Sequence, residues 1–124
     1  MILLDSDIII YSALPQNIEL RRRIVADNPC ASAISLVEVL GFHRIGENEA
    51  VYFGDFFTAA EVIPISEAIV EQAILLRQKR KIGLGDSLIA STAIVHNLSL
   101  ATNNTQDFEW IESLTLIDPF EENA

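Results

Sequence analysis

Cysteine is almost absent from this chain of 124 residues, which contains only Cys30. A lone cysteine cannot form a disulfide within the chain, and no histidine lies near it at a metal-ligand spacing, which argues against a disulfide framework and against a zinc site. Half of the residues are hydrophobic, which is enough to form a core without disulfides or a structural metal ion. We therefore predict a single domain, residues 1–124, from a reducing compartment.

Long apolar segments are also missing. The first apolar run ends at Asp5 with no basic residue before it, unlike a signal peptide. No run approaches the roughly 20 residues needed to cross a bilayer. These absences predict a cytoplasmic protein with no membrane partner.

Basic residues are scarce, with 8 Lys and Arg against 18 Asp and Glu and a formal net charge of -10. This balance argues against a protein that coats nucleic acid through many phosphate contacts. Seven of the eight lie in two runs, at 21–23 and 77–81. Two interpretations remain open for these runs: solvated helix faces, or positive patches that hold a phosphodiester.

Apolar runs that are typical of buried strands alternate with segments of helical spacing. Strands are predicted at 1–4, 30–34, 61–65, 98–101 and 114–117, and helices at 7–14, 16–27, 47–60 and 66–80, with others beginning at Ser35 and Asp86. The acidic residues after Pro119 are expected to fray. This alternation predicts an α/β fold around a mainly parallel sheet.

Four acidic residues stand at comparable places in this pattern. Asp5 ends the first strand, Glu38 lies in the predicted first turn of the helix after the second, Asp86 opens a helix, and Asp107 follows the strand at 98–101. Each also has a structural interpretation: Asp5 and Asp86 as helix caps, Asp107 as a turn residue, and Glu38 in a capping box with Ser35. Because the carboxyl ends of parallel strands share one edge, we expect the four acids to converge there.

Clustered carboxylates raise one another's pKa unless a cation lies between them. Oxygen ligands favour Mg²⁺ or Mn²⁺. Carboxylates with such an ion suit the hydrolysis of phosphodiester bonds.

Four segments carry a resemblance to a known family: Ile-Leu-Leu-Asp-Ser-Asp-Ile-Ile-Ile at 2–10, Ser-Leu-Val-Glu-Val-Leu-Gly-Phe at 35–42, Gly-Asp-Ser-Leu-Ile-Ala-Ser-Thr-Ala at 85–93 and Leu-Ala-Thr-Asn-Asn-Thr-Gln-Asp-Phe at 100–108. In this order they resemble PIN-domain ribonucleases, and among them the toxins of VapBC-type toxin–antitoxin pairs. The resemblance implies a three-layer α/β/α sandwich and an endoribonuclease that depends on Mg²⁺ or Mn²⁺. It also implies a homodimer that binds a small antitoxin.

The resemblance also implies roles for individual residues. The acidic metal cluster would consist of Asp5, Glu38, Asp86 and Asp107, and the residues that position water or substrate would be Ser6, Thr102 and Asn104. Two departures stand out: Asn103 occupies a place where the family usually has Arg, and either Asn104 or Asp107 can complete the metal site.

An acidic protein that holds RNA needs its few positive charges near the phosphate that is cut, since exposed charges act over only about 8 Å at physiological salt, and the second basic run is close in sequence to Asp86. If it flanks the cleft, the RNA backbone would be contacted by Arg77, Lys79, Arg80 and Lys81.

Two other functions remain open. The start of the chain resembles the nucleophile motif of haloacid-dehalogenase-type phosphatases, although it continues with Ile8 and Ile9 where that motif has Gly-Thr. The second alternative is a non-catalytic binding module that keeps the fold.

Overall fold

Five strands form one sheet in the order β3-β2-β1-β4-β5. They are β1 Ile2–Leu4, β2 Pro29–Ser32, β3 Glu61–Ile63, β4 Ser99–Ala101 and β5 Leu116–Ile117. The computed structural model describes residues 1–121, and every strand pair in this part of the chain is parallel. The predicted α/β fold with a parallel sheet is confirmed, including the edge position of the proline-flanked strand β3.

Six α-helices cover the two faces of the sheet within residues 1–121: α1 Ser6–Ser12, α2 Ile18–Ala26, α3 Ala33–Leu40, α4 Glu47–Ala59, α5 Glu67–Lys79 and α6 Leu84–His96. Successive side chains of a strand point to opposite faces. Leu3 accordingly packs in one apolar core with residues of α5 and α6. Leu4 packs in a second core with residues of α1 to α4. The chain is therefore a three-layer α/β/α sandwich.

The central strand β1 determines which residues meet at the carboxyl edge of the sheet. Leu4 pairs with Ala31 of β2 on one side and with Ala101 of β4 on the other. The residues that follow these positions, Asp5, Ser32 and Thr102, therefore lie side by side where the strands end. The backbone N–H of Asp5 continues the ladder by donating to Ala101 O at 2.9 Å.

Helix α3 begins earlier than the sequence pattern predicts. Its N-cap is Ser32, whose hydroxyl accepts a hydrogen bond from the backbone N–H of Ile34 at 3.2 Å. The predicted capping box between Ser35 and Glu38 is wrong, since the hydroxyl of the last residue of β2, Ser32, already caps the helix. Glu38 therefore lies in the second turn of α3, with its side chain free for another contact.

Helix α6 also begins earlier than predicted, at Leu84, so that Asp86 lies within its first turn. No helix in the described residues is long and apolar enough to cross a membrane. Phe120 makes an edge-to-face contact with Tyr11, with ring centroids 5.6 Å apart, and the fraying expected of the acidic residues after Pro119 stays a prediction. For residues 122–124 that prediction lies outside the described part of the chain.

Candidate active site

Asp5 is held in one orientation by two hydrogen bonds. It is the N-cap of α1, and its Oδ1 accepts from the backbone N–H of Ser6 at 2.8 Å. Its Oδ2 accepts from the Thr102 hydroxyl at 2.8 Å. Asp5 is only 5% exposed and Thr102 is fully buried. This carboxylate is thus fixed between the ends of β1 and β4 by protein groups alone.

Glu38 is held against the same edge by Ser6. The Ser6 hydroxyl donates to Glu38 Oε1 at 2.7 Å and lies 2.8 Å from the hydroxyl oxygen of the buried Ser35. A Cβ added at Gly85 would overlap Oε2 of Glu38. The glycine therefore allows α3 and α6 to approach closely, which brings Glu38 next to Asp86.

Asp86 lies within the electrostatic reach of the other three predicted acids. Burial raises its pKa from 3.8 to about 6, and the negative charges of Asp5, Asp107 and Glu38 add to the shift. These three are the same acids that the sequence pattern placed at this edge. All charges that shift Asp86 within residues 1–121 are negative, so no Lys or Arg neutralises it.

Asp5 shows the same behaviour. Burial raises its pKa to about 6, with further contributions from the charges of Asp7 and Glu38, while the hydrogen bonds from Thr102 and Ser6 oppose the shift. Two carboxyls whose charged forms are disfavoured in this way fit a site that receives a cation.

The atoms that the acidic cluster offers to a cation are all carboxylate oxygens. Oxygen ligands favour a hard ion such as Mg²⁺ or Mn²⁺. Among residues 1–121 no three acidic, histidine or cysteine side chains stand close enough together to hold an ion. Mg²⁺ commonly uses one or two protein carboxylates and keeps several waters. The cluster therefore fits an ion held by one or two direct carboxylate contacts and by water.

Asp7 belongs to this site, although the sequence pattern indicated only a turn or cap for it. Its Oδ2 accepts hydrogen bonds from the backbone N–H of Asn103 at 3.1 Å and from Asn104 Nδ2 at 3.3 Å. Burial raises its pKa, and the charge of Asp86 adds to the shift. One feature of the sequence could have identified Asp7 as a site residue: it lies two residues after Asp5, at the start of the helix that Asp5 caps. Asp7 ties this helix to the loop after β4.

Two of the three residues expected to position water or substrate face protein groups. Thr102 donates to Asp5 and accepts from the backbone N–H of Asn104 at 3.0 Å, while the Ser6 hydroxyl reaches Glu38. Asn104 itself is exposed. Both hydroxyls thus orient carboxylates, and Asn104 is the member of the group that solvent can reach.

Asn103, which stands where the family usually has Arg, contacts an acidic residue at the chain's end. Its Nδ2 lies 3.4 Å from both carboxylate oxygens of Asp118. It therefore offers no positive charge to a phosphate.

The two basic runs differ in what they contact. In the first run, Arg21 donates to the carbonyl oxygens of Ser12 and Ala13 at the end of α1, at 2.9 and 3.2 Å. In the second run, Arg77 donates to Ile82 O at 2.9 Å, and the Arg80 guanidinium lies 5.5 Å from the ring centre of Trp110. The contacts of this run with RNA remain a prediction.

Comparisons with known proteins identify the family of this chain. Residues 2–112 match the family model described as PIN domain. The chain is 37% identical to Ribonuclease VapC10 from Mycobacterium tuberculosis, over 92% of this chain and 90% of that protein.

Solved structures agree as well. A toxin–antitoxin complex from Klebsiella pneumoniae contains a chain 28% identical with a TM-score of 0.78, covering 98% of this chain and 100% of that one. VapBC2 from Rickettsia felis, bound to a DNA fragment from its promoter, has a chain 26% identical with a TM-score of 0.78, covering 94% and 98%. The chain belongs to the PIN-domain family, among relatives of the VapC ribonucleases.

Proposed function

We propose that this protein is a Mg²⁺- or Mn²⁺-dependent endoribonuclease and the toxin of a VapBC-type toxin–antitoxin pair. The observation that carries the proposal is the convergence of four carboxylates at one sheet edge, where burial and mutual repulsion raise the pKa of Asp5 and Asp86 to about 6. The relation to a VapC ribonuclease over 92% of the chain supports the same activity.

The proposed roles follow from where each residue lies. Asp5 and Asp86 are the direct ligands, because both are partly desolvated and their charges interact. Glu38 and Asp107 complete the negative shell, and one of them orients a water molecule. A bound divalent ion supplies activation of that water and stabilisation of the leaving oxygen.

The substrate and compartment belong to the same proposal. Residues 1–124 act as one nuclease domain on RNA in the cytoplasm, where a toxin of this type finds its substrate. The phosphatase alternative loses its support because the chain matches the PIN family over residues 2–112.

The experiment that tests the activity compares two acid variants with a matched control. Asp5→Asn and Asp86→Asn remove a charge and almost no volume, and Asn still caps helices. Both should abolish Mg²⁺-dependent cleavage of RNA, whereas Asp55→Asn, at an exposed position of α4, should cleave like the wild type. Cleavage that continues undiminished in EDTA would contradict the metal requirement. A non-catalytic module would show no cleavage in any variant or metal.

The partners are a small antitoxin and a second copy of the chain. Three apolar side chains remain exposed on α3 and α4 or just after α3: Val37 at 66%, Phe42 at 52% and Val51 at 64%. The aromatic segment 51–57 contributes less surface than expected, because Phe53 and Phe57 are buried in the chain's own core. Sedimentation at micromolar concentration should show a dimer, and a sharp monomer boundary would contradict it.

A further inference from the structure

Trp110 lies beside the acidic cluster without being part of it. Its indole Nε1–H donates to the backbone oxygen of Asp107 at 3.0 Å, and Asp107 is one of the charges that raise the pKa of Asp86. The ring is half-buried against the core below α5 and α6. One indole therefore links the edge of the candidate active site to the neighbouring surface.

That neighbouring surface is the end of α5, where the second basic run begins. The Arg80 guanidinium lies 5.5 Å from the centre of the Trp110 ring. Lys79 and Trp110 line one cavity together with the polar side chains of Gln72 and Ser113 and a single acid, Glu112. Arg77 faces elsewhere, toward Ile82 O. Arg80 and Lys79 of this run thus share a surface with the Trp110 ring, whereas Arg77 does not.

We propose that Trp110, Arg80 and Lys79 form a binding site for an unpaired nucleotide of the RNA, next to the bond that is cut. This inference rests on the proposed ribonuclease function. Aromatic rings and guanidinium planes both stack on unpaired bases, and Lys or Arg neutralises the adjacent phosphate.

Charge complementarity argues for this occupant. The acidic cluster repels a phosphate chain, and the protein carries a formal net charge of -10. Exposed charges act over only about 8 Å at physiological salt, so cations that help to hold RNA must lie close to the cleft. The hydrogen bond from Trp110 to the backbone oxygen of Asp107 places the indole beside the acidic cluster, and the Arg80 guanidinium lies against that indole. The cavity therefore binds the strand that leads to the acids.

Trp110 is the only tryptophan of the chain, so its fluorescence reports on this site alone. The Asp86→Asn protein, which should not cleave, is titrated with a single-stranded RNA oligonucleotide and with a duplex of the same length. The single strand should quench the emission and saturate, and the duplex should quench far less. Equal quenching by the duplex or by heparin would overturn the proposal.

Variants separate the contributions of charge and stacking. In the Asp86→Asn background, Arg80→Gln should weaken RNA binding about 5-fold. It should also lower the salt slope, the steepness with which log affinity falls with log salt concentration, by about one. Trp110→Leu, followed by anisotropy of a labelled RNA, should weaken binding about 10-fold. Arg22→Gln is the matched control, because Arg22 is exposed and pairs with Glu19 on α2. Unchanged affinity and salt slope in Arg80→Gln would overturn the proposal even if Trp110→Leu fails to fold.

These results are independent of the ribonuclease test. If the wild type cleaves RNA while the Trp110 emission does not respond, the nucleotide site is wrong and the proposed function stands. If the emission responds and no metal supports cleavage by the wild type, the site binds RNA and the proposed function is wrong.

Discussion

At the scale of single residues, Asp5 and Asp86 show the energetic cost of burying carboxylates at the candidate site. In each case burial is the main reason that the pKa rises from 3.8 to about 6. The folded chain therefore binds protons more tightly than the unfolded chain between these two values. Without a metal, the protonated carboxyls stabilise the fold fully below about pH 3.8, and this contribution is lost as the pH rises through about 6.

We predict that Asp86→Asn stabilises the metal-free protein at neutral pH while it abolishes cleavage. The amide needs no proton to remain neutral, so the variant should gain about 1 kcal/mol at pH 7.5 after allowance for solvent screening. Thermal unfolding in EDTA at several pH values measures the difference. The advantage over the wild type should shrink toward about pH 4, and an advantage that grows on acidification would contradict the assignment.

Gly85 provides a second test at a single residue. Gly85→Ala would place a methyl group against Oε2 of Glu38 and push this carboxylate away from Asp86. We expect RNA cleavage to fall at least about 10-fold, since a displaced catalytic group loses its alignment. Gly83→Ala is the matched control, because a Cβ there meets nothing within 4 Å. Equal activity in the two variants would show that Glu38 tolerates displacement.

At the scale of elements, one arginine of the first basic run, Arg21, holds helices together. Arg21 donates to two carbonyls at the end of α1, and its guanidinium lies 4.8 Å from the ring centre of Tyr52 on α4. Arg22, one residue later, pairs only with Glu19 within the described residues, and both of these side chains are at least 70% exposed. Neighbouring arginines on one helix therefore have different roles.

We predict that Arg21→Gln lowers the free energy of unfolding by about 1–2 kcal/mol, because it removes charged donors and a cation–π contact. Arg22→Gln should change it by less than about 0.5 kcal/mol, as expected for an exposed ion pair. Urea unfolding of both variants measures the difference. Similar midpoints would mean that Arg21 does not join α1, α2 and α4 as described.

At the scale of the whole molecule, an acidic chain concentrates part of its negative charge at one edge. The formal net charge of -10 means that any cation bound at the cluster also relieves repulsion in the folded state. Ligands that bind only the folded state stabilise it by mass action. If the cluster binds a divalent ion as proposed, metal binding and folding are coupled.

We predict that Mg²⁺ raises the melting temperature of the wild type at pH 7.5 by a few degrees, since an excess of about tenfold over the dissociation constant contributes about 1.4 kcal/mol. Asp86→Asn should lose most of this increase, whereas Asp55→Asn should keep it. Differential scanning calorimetry with Mg²⁺, and with Na⁺ at equal ionic strength, measures the effect. An equal increase with Na⁺ would indicate general screening instead of a site.

Much of the fold and part of the site could be predicted from the sequence, because local patterns encode them. The apolar run before Asp5 predicted a buried strand, and the alternation of strands and helices predicted the parallel sheet. Parallel strands share a carboxyl edge, so the convergence of Asp5, Glu38, Asp86 and Asp107 could also be inferred. The metal-ligand roles of these acids remain predictions.

Other features were decided only by tertiary structure, since they depend on pairs of residues far apart in the chain. Ser6 and Glu38 are 32 residues apart and form a hydrogen bond only after α1 and α3 pack together. Asp7 reaches the loop after β4 for the same reason. The capping box at Ser35 was predicted wrongly because the segment offers two serine hydroxyls as possible N-caps, Ser32 and Ser35, and the end of β2 selects Ser32. The sequence by itself placed four acids at one edge of the sheet, and packing added Asp7 to them and decided which side chains orient them.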